Sequence, residues 1–110
     1  MPKKSQCRMP DIISQVQELT GLNRRDSKVA IQAVIYAIKL GVTQTQQVRI
    51  PGFGKFVKIH KDKSLRKSFG KMTEIPAKDI VKFRPLKAMK QLVNKEIQME
   101  KFSADMPEDD

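Results

Sequence analysis

Residues 48–56 read VRIPGFGKF, and they lead into the basic segment HKDKSLRKSFGKM (60–72) and the return TEIPAKDIVKF (73–83). The Pro-Gly pair of the first stretch predicts a tight turn, and Ser-Phe-Gly at 68–70 predicts a second one. β-Branched and aromatic residues flank the basic segment, as is typical of strands. We therefore predict a long two-stranded β-ribbon whose arm, at about residues 57–76, carries lysine and arginine away from a small hydrophobic body.

The chain is small and strongly basic. It has 110 residues, with 22 Lys plus Arg against 12 Asp plus Glu and a formal net charge of +10. A chain of this length allows one domain and buries a modest share of its surface, so we expect a second copy to add to the core. A positive field favours a polyanion, and nucleic acid or an anionic membrane surface are the candidates.

Several classes of protein are disfavoured by what the sequence lacks. No apolar run approaches the roughly 20 residues of a membrane span, and the first residues have no apolar core for a secretory signal. We therefore expect a soluble, intracellular protein that binds neither membrane nor small-molecule substrate. Cys7 and His60 are the single cysteine and histidine, so we expect no disulfide, no metal site, no cofactor and no catalytic residue.

Two helices are predicted before the ribbon. Pro10 suits the first turn of a helix, apolar residues recur after it at helical spacing, and Gly21 is typical of a helix end. Asn23 is a good N-cap for a second helix that runs to about Leu40. Residues 41–47 are polar and predict a connection to the first strand.

Apolar residues cover more than one side of the second predicted helix. Such a helix needs two partners, and the first helix supplies one of them. The other is either the sheet or a second copy of the chain, and the small residues Ala30, Ala33 and Ala37 favour close approach of a second copy. We therefore predict a homodimer, with Phe53, Phe56 and Phe83 in its shared core.

A last helix is predicted after the ribbon. Pro85 can open it, and its apolar residues recur at helical spacing: Leu86, Met89, Leu92, Val93 and Ile97. The end of the chain is acidic, with four acids and no base in its last eight residues. We divide the chain into a flexible basic lead at 1–9, a domain at 10–97, and a helix end with an acidic disordered tail at 98–110.

The order of these motifs resembles the bacterial histone-like HU and integration host factor family. The similarity runs from about Pro10 to Asn94 and includes GLNRRDSKVAIQAV (21–34), the glycine-rich turn, IPA (75–77) and FRPLKAMKQLVN (83–94). The resemblance implies an α+β fold, an intertwined homodimer with a helical body, and two β-arms that reach around double-stranded DNA through the minor groove. It also implies a cytoplasmic, nucleoid-associated protein that compacts and bends DNA.

The arm tip departs from the family. Members usually carry Arg-Asn-Pro there, whereas this chain has Lys67-Ser68-Phe69-Gly70 and is two residues shorter. Matched without a gap, Lys67 falls on the family's arginine, and Phe69 falls on the proline that wedges between base pairs. Phe69 is thus either a wedge or a ring that folds back onto Leu65 or Met72 and closes the turn.

The predicted DNA-binding residues are the bases of the arm and its flanks, with the aromatic residue at its tip. Each phosphate that a basic residue neutralises releases condensed counterions. Minor-groove edges offer little sequence information, so we expect binding with little sequence preference. The predicted residues are Lys55, Lys58, Lys61, Lys63, Arg66, Lys67, Phe69, Lys71, Arg84 and Lys87.

Three alternatives remain open from the sequence. The protein could coat or bridge DNA without sharp bending, with arms that grip phosphates. It could also be a basic RNA-binding protein whose ribbon faces an A-form minor groove or a single strand. The third alternative is a charged, solvated hairpin without a ligand.

Overall fold

Residues 5–104 are described by a computed structural model and form three helices and five strands. The helices are α1 (Met9–Thr20), α2 (Arg24–Gln44) and α3 (Lys87–Val93). The strands are β1 (Gln47–Ile50), β2 (Gly54–Lys61), β3 (Ser64–Ser68), β4 (Lys71–Ile75) and β5 (Lys78–Pro85). Two compact units meet in the chain between Lys39 and Leu40. This arrangement confirms the predicted α+β class.

Helix α1 is closed at both ends by local hydrogen bonds. The Arg8 amide donates to Asp11 Oδ2 at 3.0 Å, and Pro10 lies in the first turn, where a missing N–H costs little. At the other end Gly21 has a φ of 77°, and its amide donates to the Gln17 carbonyl oxygen at 2.9 Å. The predicted end at Gly21 is confirmed, and the helix begins one residue before Pro10.

Asn23 caps α2 as predicted. Its Oδ1 accepts from the Asp26 amide at 2.8 Å, and its Nδ2 donates to Asp26 Oδ2 at 3.2 Å. Arg24 then ties α2 to α1, because its Nη1 donates to Ser14 Oγ and to Gln17 Oε1, each at 3.2 Å. The two helices are therefore held by polar contacts at their connection.

The predicted end of α2 at about Leu40 is wrong. The helix continues through Gly41 to Gln44, so the predicted connection at 41–47 shrinks to two residues. A Cβ on Gly41 would lie 2.6 Å from Val48 Cγ2. Gly41 is therefore a point of close approach between α2 and β1, and it is not a helix-ending residue.

Strands β1, β2 and β5 form an antiparallel sheet in that order. The Phe53 amide donates to the Ile50 carbonyl oxygen at 3.1 Å, and Gly52 between them has a φ of 73°, as the third residue of a type II turn requires. The Phe83 ring centre lies 5.2 Å from that of Phe53 and 5.0 Å from that of Phe56. A Cβ on Gly54 would stand 2.5 Å from the Phe83 ring, so the aromatic cluster requires glycine there.

The predicted ribbon is present, but it is interrupted. The β2–β5 ladder ends at Lys61 opposite Lys78, and the β3–β4 ladder starts at Ser64 opposite Ile75. Residues 62–63 and 76–77 lie between the ladders, two on each strand, so the register is preserved across the gap. Proline at position 76 has no N–H to donate to a ladder, which favours a break there.

A two-residue turn closes the ribbon, as predicted for residues 68–70. Phe69 and Gly70 connect Ser68 to its partner Lys71, and their φ angles are 51° and 78°. Two successive positive φ angles are the mark of a type I′ turn, whose twist matches that of the strands.

The last helix is shorter than predicted. Pro85 does not open it, because Pro85 is the last residue of β5 and pairs with Gly54. Helix α3 ends at Val93 in a Schellman motif, in which Lys95 has a φ of 60° and the Glu96 amide donates to the Gln91 carbonyl oxygen at 2.8 Å. Ile97 is thus outside the helix, and no helix occupies residues 98–104.

A flexible lead and a disordered tail are predicted for the two ends of the chain. Residues 1–4 and 105–110 lie outside the described part of the chain, so these two predictions stand as they were made for those positions. Across residues 5–104, none of the helices has both the length and the apolar character needed to cross a membrane.

Candidate nucleic-acid interface

The two sides of the β2–β5 ribbon differ in chemistry. Residues that face each other across an antiparallel ladder lie on the same side, and alternate residues along a strand do so too. One side carries the pair Phe56 and Phe83. The opposite side carries five basic residues, here called the basic face: Lys55, Lys61, Lys78, Lys82 and Arg84.

Beyond the sheet the ribbon has no core. Every residue from His60 to Glu74 is exposed. Lys63 and Lys67 continue the alternation of the basic face, while Arg66 and Lys71 fall on the other side. The distal arm, residues 62–77, therefore presents positive charge on both of its sides.

One basic residue of the distal arm already has a partner. Lys63 forms a salt bridge with Glu74 across the ribbon. Both side chains are more than half exposed, so water screens the pair and its stabilisation is small. A phosphate can therefore compete with Glu74 for Lys63.

Phe69 stands fully exposed at the arm tip. Its relative exposure is 103%, so the ring does not fold back onto Leu65 or Met72, which are themselves 67% and 61% exposed. Its φ of 51° is in the left-handed region, which a bulky aromatic residue adopts at a cost in free energy. The structure thus presents an unsupported aromatic ring on a strained turn.

The chain is similar in sequence to known proteins. The family described as "Bacterial DNA-binding protein" matches residues 8–94. DNA-binding protein HRL53 of Rhizobium leguminosarum is 33% identical over 86 residues, which cover 76% of this chain and 94% of that protein. The chain belongs to the bacterial DNA-binding protein family. It is therefore a non-enzymatic architectural DNA-binding protein of the HU and integration host factor type, as the sequence predicted.

Other members of the bacterial DNA-binding protein family are similar over most of their length. DNA-binding protein HU of Thermus thermophilus is 29% identical over 98 residues, covering 86% of this chain and all of that protein (100%). Integration host factor subunit alpha of an Anaeromyxobacter species is 28% identical over 89 residues, 79% of each chain. A crystal structure of Anabaena HU with DNA superposes with a TM-score of 0.69 at 20% identity, covering 76% of this chain and 92% of that one, which shows the shared fold.

Lys58 is placed apart from the other predicted site residues. Its Nζ donates to the carbonyl oxygen of Thr43 at 2.9 Å, in the last turn of α2. A cation at this position satisfies a free carbonyl group and the negative end of the helix dipole. Lys58 thus joins α2 to the sheet, and its ammonium is already engaged.

Two residues of the basic face are absent from the predicted set. Lys78 lies opposite Lys61, and Lys82 lies opposite Val57, both on the basic face. They could have been predicted from KDIVKFR, because Lys78, Lys82 and Arg84 are at alternate positions of one strand and therefore lie on one side. Lys87 is exposed at the first position of α3, after the end of the ribbon.

His60 lies next to the end of the β2–β5 ladder and is also absent from the predicted set. Its Nδ1 lies 2.8 Å from Asp79 Oδ1, and its Nε2 lies 3.1 Å from Asp62 Oδ1. The hydrogen bond with Asp79 is the main cause that raises the pKa of His60 above its ordinary value, and the two negative charges add to it. In residues 5–104 no three His, Cys, Asp or Glu side chains are arranged to hold a metal ion.

Proposed function

We propose that two copies of this chain form a homodimer that binds double-stranded DNA through its two β-arms, in the minor groove and with little sequence preference. The observation that carries the proposal is the ribbon from Gly54 to Pro85, which keeps one register and is exposed and basic beyond the sheet. An isolated ribbon of like charges gains little from folding alone, and a polyanion supplies the missing stabilisation. Proteins of this family bind DNA and form dimers, which supports both parts of the proposal.

The exposed apolar surface supports the homodimer. Among the described residues, Ile13 is the one hydrophobic side chain that is buried in a single copy. On α2, Val29, Val34 and Tyr36 are 54%, 58% and 63% exposed. Complete burial of a fully exposed apolar side chain contributes about 1.5–3 kcal/mol, and these half-exposed side chains would each gain a share of it, so the uncovered face favours association with a second copy.

A second apolar surface lies between the sheet and α3. An open groove there is lined by Phe83, Pro85, Met89 and Val93, with Lys90 and Asn94 at its edge. Phe53 and Phe83 are 40% and 41% exposed in one copy. Apolar side chains of the second copy would bury these rings, as the sequence predicted for a shared core.

The distribution of charge supports binding to the DNA backbone. Lysine and arginine on both sides of the arm can reach phosphates on the two walls of a groove, whatever the bases between them. The minor groove shows a degenerate pattern of donors and acceptors, so contacts there distinguish sequences poorly. On this proposal affinity depends on salt and on DNA deformability more than on sequence.

The arm tip supports bending over simple coating. Apolar side chains inserted between base pairs unstack a step and kink the duplex, and Phe69 is a fully exposed apolar side chain at the arm tip. Such a protein would act on the chromosome, and its site of action would be the nucleoid in the bacterial cytoplasm.

Competition binding tests the proposal. A fluorescent duplex held by the protein would be challenged with linear duplex, nicked duplex and double-stranded RNA of equal length. We expect nicked duplex to compete best, because unstacking at a nick costs least, and RNA to compete least. Equal competition by RNA would refute the minor-groove proposal, and failure to bind duplex at low salt would refute DNA binding itself.

A further inference from the structure

His60 lies where the ribbon changes from sheet to distal arm. It pairs with Asp79 in the second-to-last rung of the β2–β5 ladder, and the ladder stops one residue later. Asp62 follows in the unpaired gap between β2 and β3. The side chain of His60, on β2, therefore contacts two further segments: the opposite strand at Asp79 and the start of the distal arm at Asp62.

The geometry around the imidazole requires two donors. Nδ1 faces an oxygen of Asp79 at 2.8 Å, and Nε2 faces an oxygen of Asp62 at 3.1 Å. A neutral imidazole has one donor and one acceptor nitrogen, so it would direct a lone pair at one of the two carboxylates. Only the doubly protonated ring donates to both.

We propose that His60 is a positioning residue that couples DNA binding to pH, by joining Asp62 and Asp79 when protonated and releasing Asp62 when neutral. The proposal rests on the proposed DNA-binding function. In the protonated state, the gap at residues 62–63 is bridged by a side chain, and the distal arm is held in line with β2 and β5. In the neutral state the bridge to one carboxylate is lost, and the negative charge of both carboxylates is uncompensated beside the DNA backbone.

The other charged groups near His60 do not replace this bridge. On the same side of the ribbon its neighbours are Asp62, Asp79 and Lys58, and the Lys58 ammonium is bonded to Thr43. Lys61 and Lys78 lie on the opposite side. Strand β1 begins at Gln47, opposite Val57, and so brings no charged group across from His60.

The direction of the pH effect follows from the contacts. The hydrogen bond with Asp79, followed by the charges of Asp79 and Asp62, raises the pKa of His60 above its ordinary value of about 6.5. The protonated form is therefore favoured in the folded chain, and the stabilisation from the bridge is complete below the unfolded pKa of about 6.5. It is lost as the pH rises through the folded pKa. DNA affinity should fall over the same range, because nearby phosphates also favour the protonated ring.

The single histidine permits a direct test in the free protein. A proton NMR titration of the ring signals should give a pKa above 6.5, and ring nitrogen shifts should show two protonated nitrogens below it. Asp79→Asn should lower this pKa, because the main hydrogen bond loses its charge. A pKa at or below about 6.5, or one that Asp79→Asn leaves unchanged, would overturn the proposal.

Binding to a short duplex at constant ionic strength completes the test. Between pH 6 and pH 8 we expect wild-type affinity to fall on the order of fivefold, and the affinity of His60→Gln to stay flat. Lys82→Gln is the matched control, since it removes a charge on the basic face and should weaken binding equally at every pH. Parallel pH profiles of the wild type and His60→Gln would overturn the coupling and leave the DNA-binding proposal intact. Absence of binding at every pH would refute both.

Discussion

Among single residues, Phe69 and Ser27 have environments that are unusual for their residue types. Phe69 exposes a whole aromatic ring and adopts a left-handed φ, two features that reduce stability. Ser27 is completely buried, and its Oγ has no hydrogen-bond partner among the described residues. Phe69 has a reason in the proposed function, whereas nothing in the structure explains Ser27.

Phe69→Ala should reduce DNA bending more than DNA affinity. The ring would no longer hold a base step open, while the basic residues of the arm would still bind phosphates. Energy transfer between dyes at the two ends of a short duplex measures the bend. Leu65→Ala is the matched control, because it removes an exposed apolar side chain of the arm away from the tip. Equal bending by wild type and Phe69→Ala would show that Phe69 is not a wedge, and a straight duplex with wild type would favour the coating mode.

Ser27→Ala should stabilise the fold. The substitution removes a buried hydroxyl without a partner and improves helix propensity, so we expect the free energy of unfolding to rise by about 1 kcal/mol. Thermal unfolding at fixed protein concentration measures the change. Ser14→Ala is the opposite control, because the Ser14 hydroxyl donates to the Pro10 carbonyl oxygen at 3.0 Å and accepts from Arg24. A lower melting temperature for Ser27→Ala would mean that the hydroxyl has a partner in solution.

At the scale of the elements, the ribbon combines a rigid part and an exposed part. Near the sheet, the Phe83 ring on β5 contacts the rings of Phe53 and Phe56. Lys58 on β2 is hydrogen-bonded to the last turn of α2. Beyond the gap, β3 and β4 have no hydrophobic support, and all of their residues except Ile75 are exposed. Affinity should therefore depend on the charges of the distal arm and little on its packing.

Replacing Lys61, Lys63, Arg66 and Lys67 together by alanine should flatten the salt dependence of DNA binding. The slope of log affinity against log salt should decrease by about 0.9 for each phosphate that the variant no longer neutralises, and affinity should fall similarly on unrelated duplexes. Glu74→Gln is the informative control, since it frees Lys63 from its salt bridge and should tighten binding. An unchanged slope in a folded quadruple variant would place the interface outside the arm.

At the scale of the whole molecule, one copy leaves too much apolar surface in water. The uncovered residues occur on α1 and α2, on the aromatic cluster of the sheet and on α3. Large exposed apolar patches mark interfaces in soluble proteins. Stability and dimerisation should therefore be inseparable in this chain.

Val34→Asp should weaken the homodimer strongly. Each dimer would lose two buried valines, so we expect at least a ~100-fold rise in the dissociation constant, measured by equilibrium sedimentation at micromolar concentration. Gln32→Asp is the matched control, because it introduces the same acid on α2 at an exposed polar position. A wild-type chain that sediments as a folded monomer would contradict the proposed assembly.

Features that depend on local chemistry could be predicted from the sequence. Gly21, Asn23, the turn after Ile50 and the turn at Phe69 were predicted because each follows from a backbone angle or from a bond to a residue three or four positions away. The motif order was sufficient to identify the family.

Features that depend on residues distant in the chain could be seen only in the tertiary structure. Helix α2 continues past Gly41, where the close approach of Val48 leaves no room for a Cβ, and Pro85 belongs to β5 because it pairs with Gly54. Lys58 is engaged because α2 ends beside it, and His60 has its two carboxylates because the register places Asp79 opposite. In each case the element boundary or the side-chain partner depends on packing or pairing between residues far apart in the chain. Local propensity is too weak to oppose such contacts.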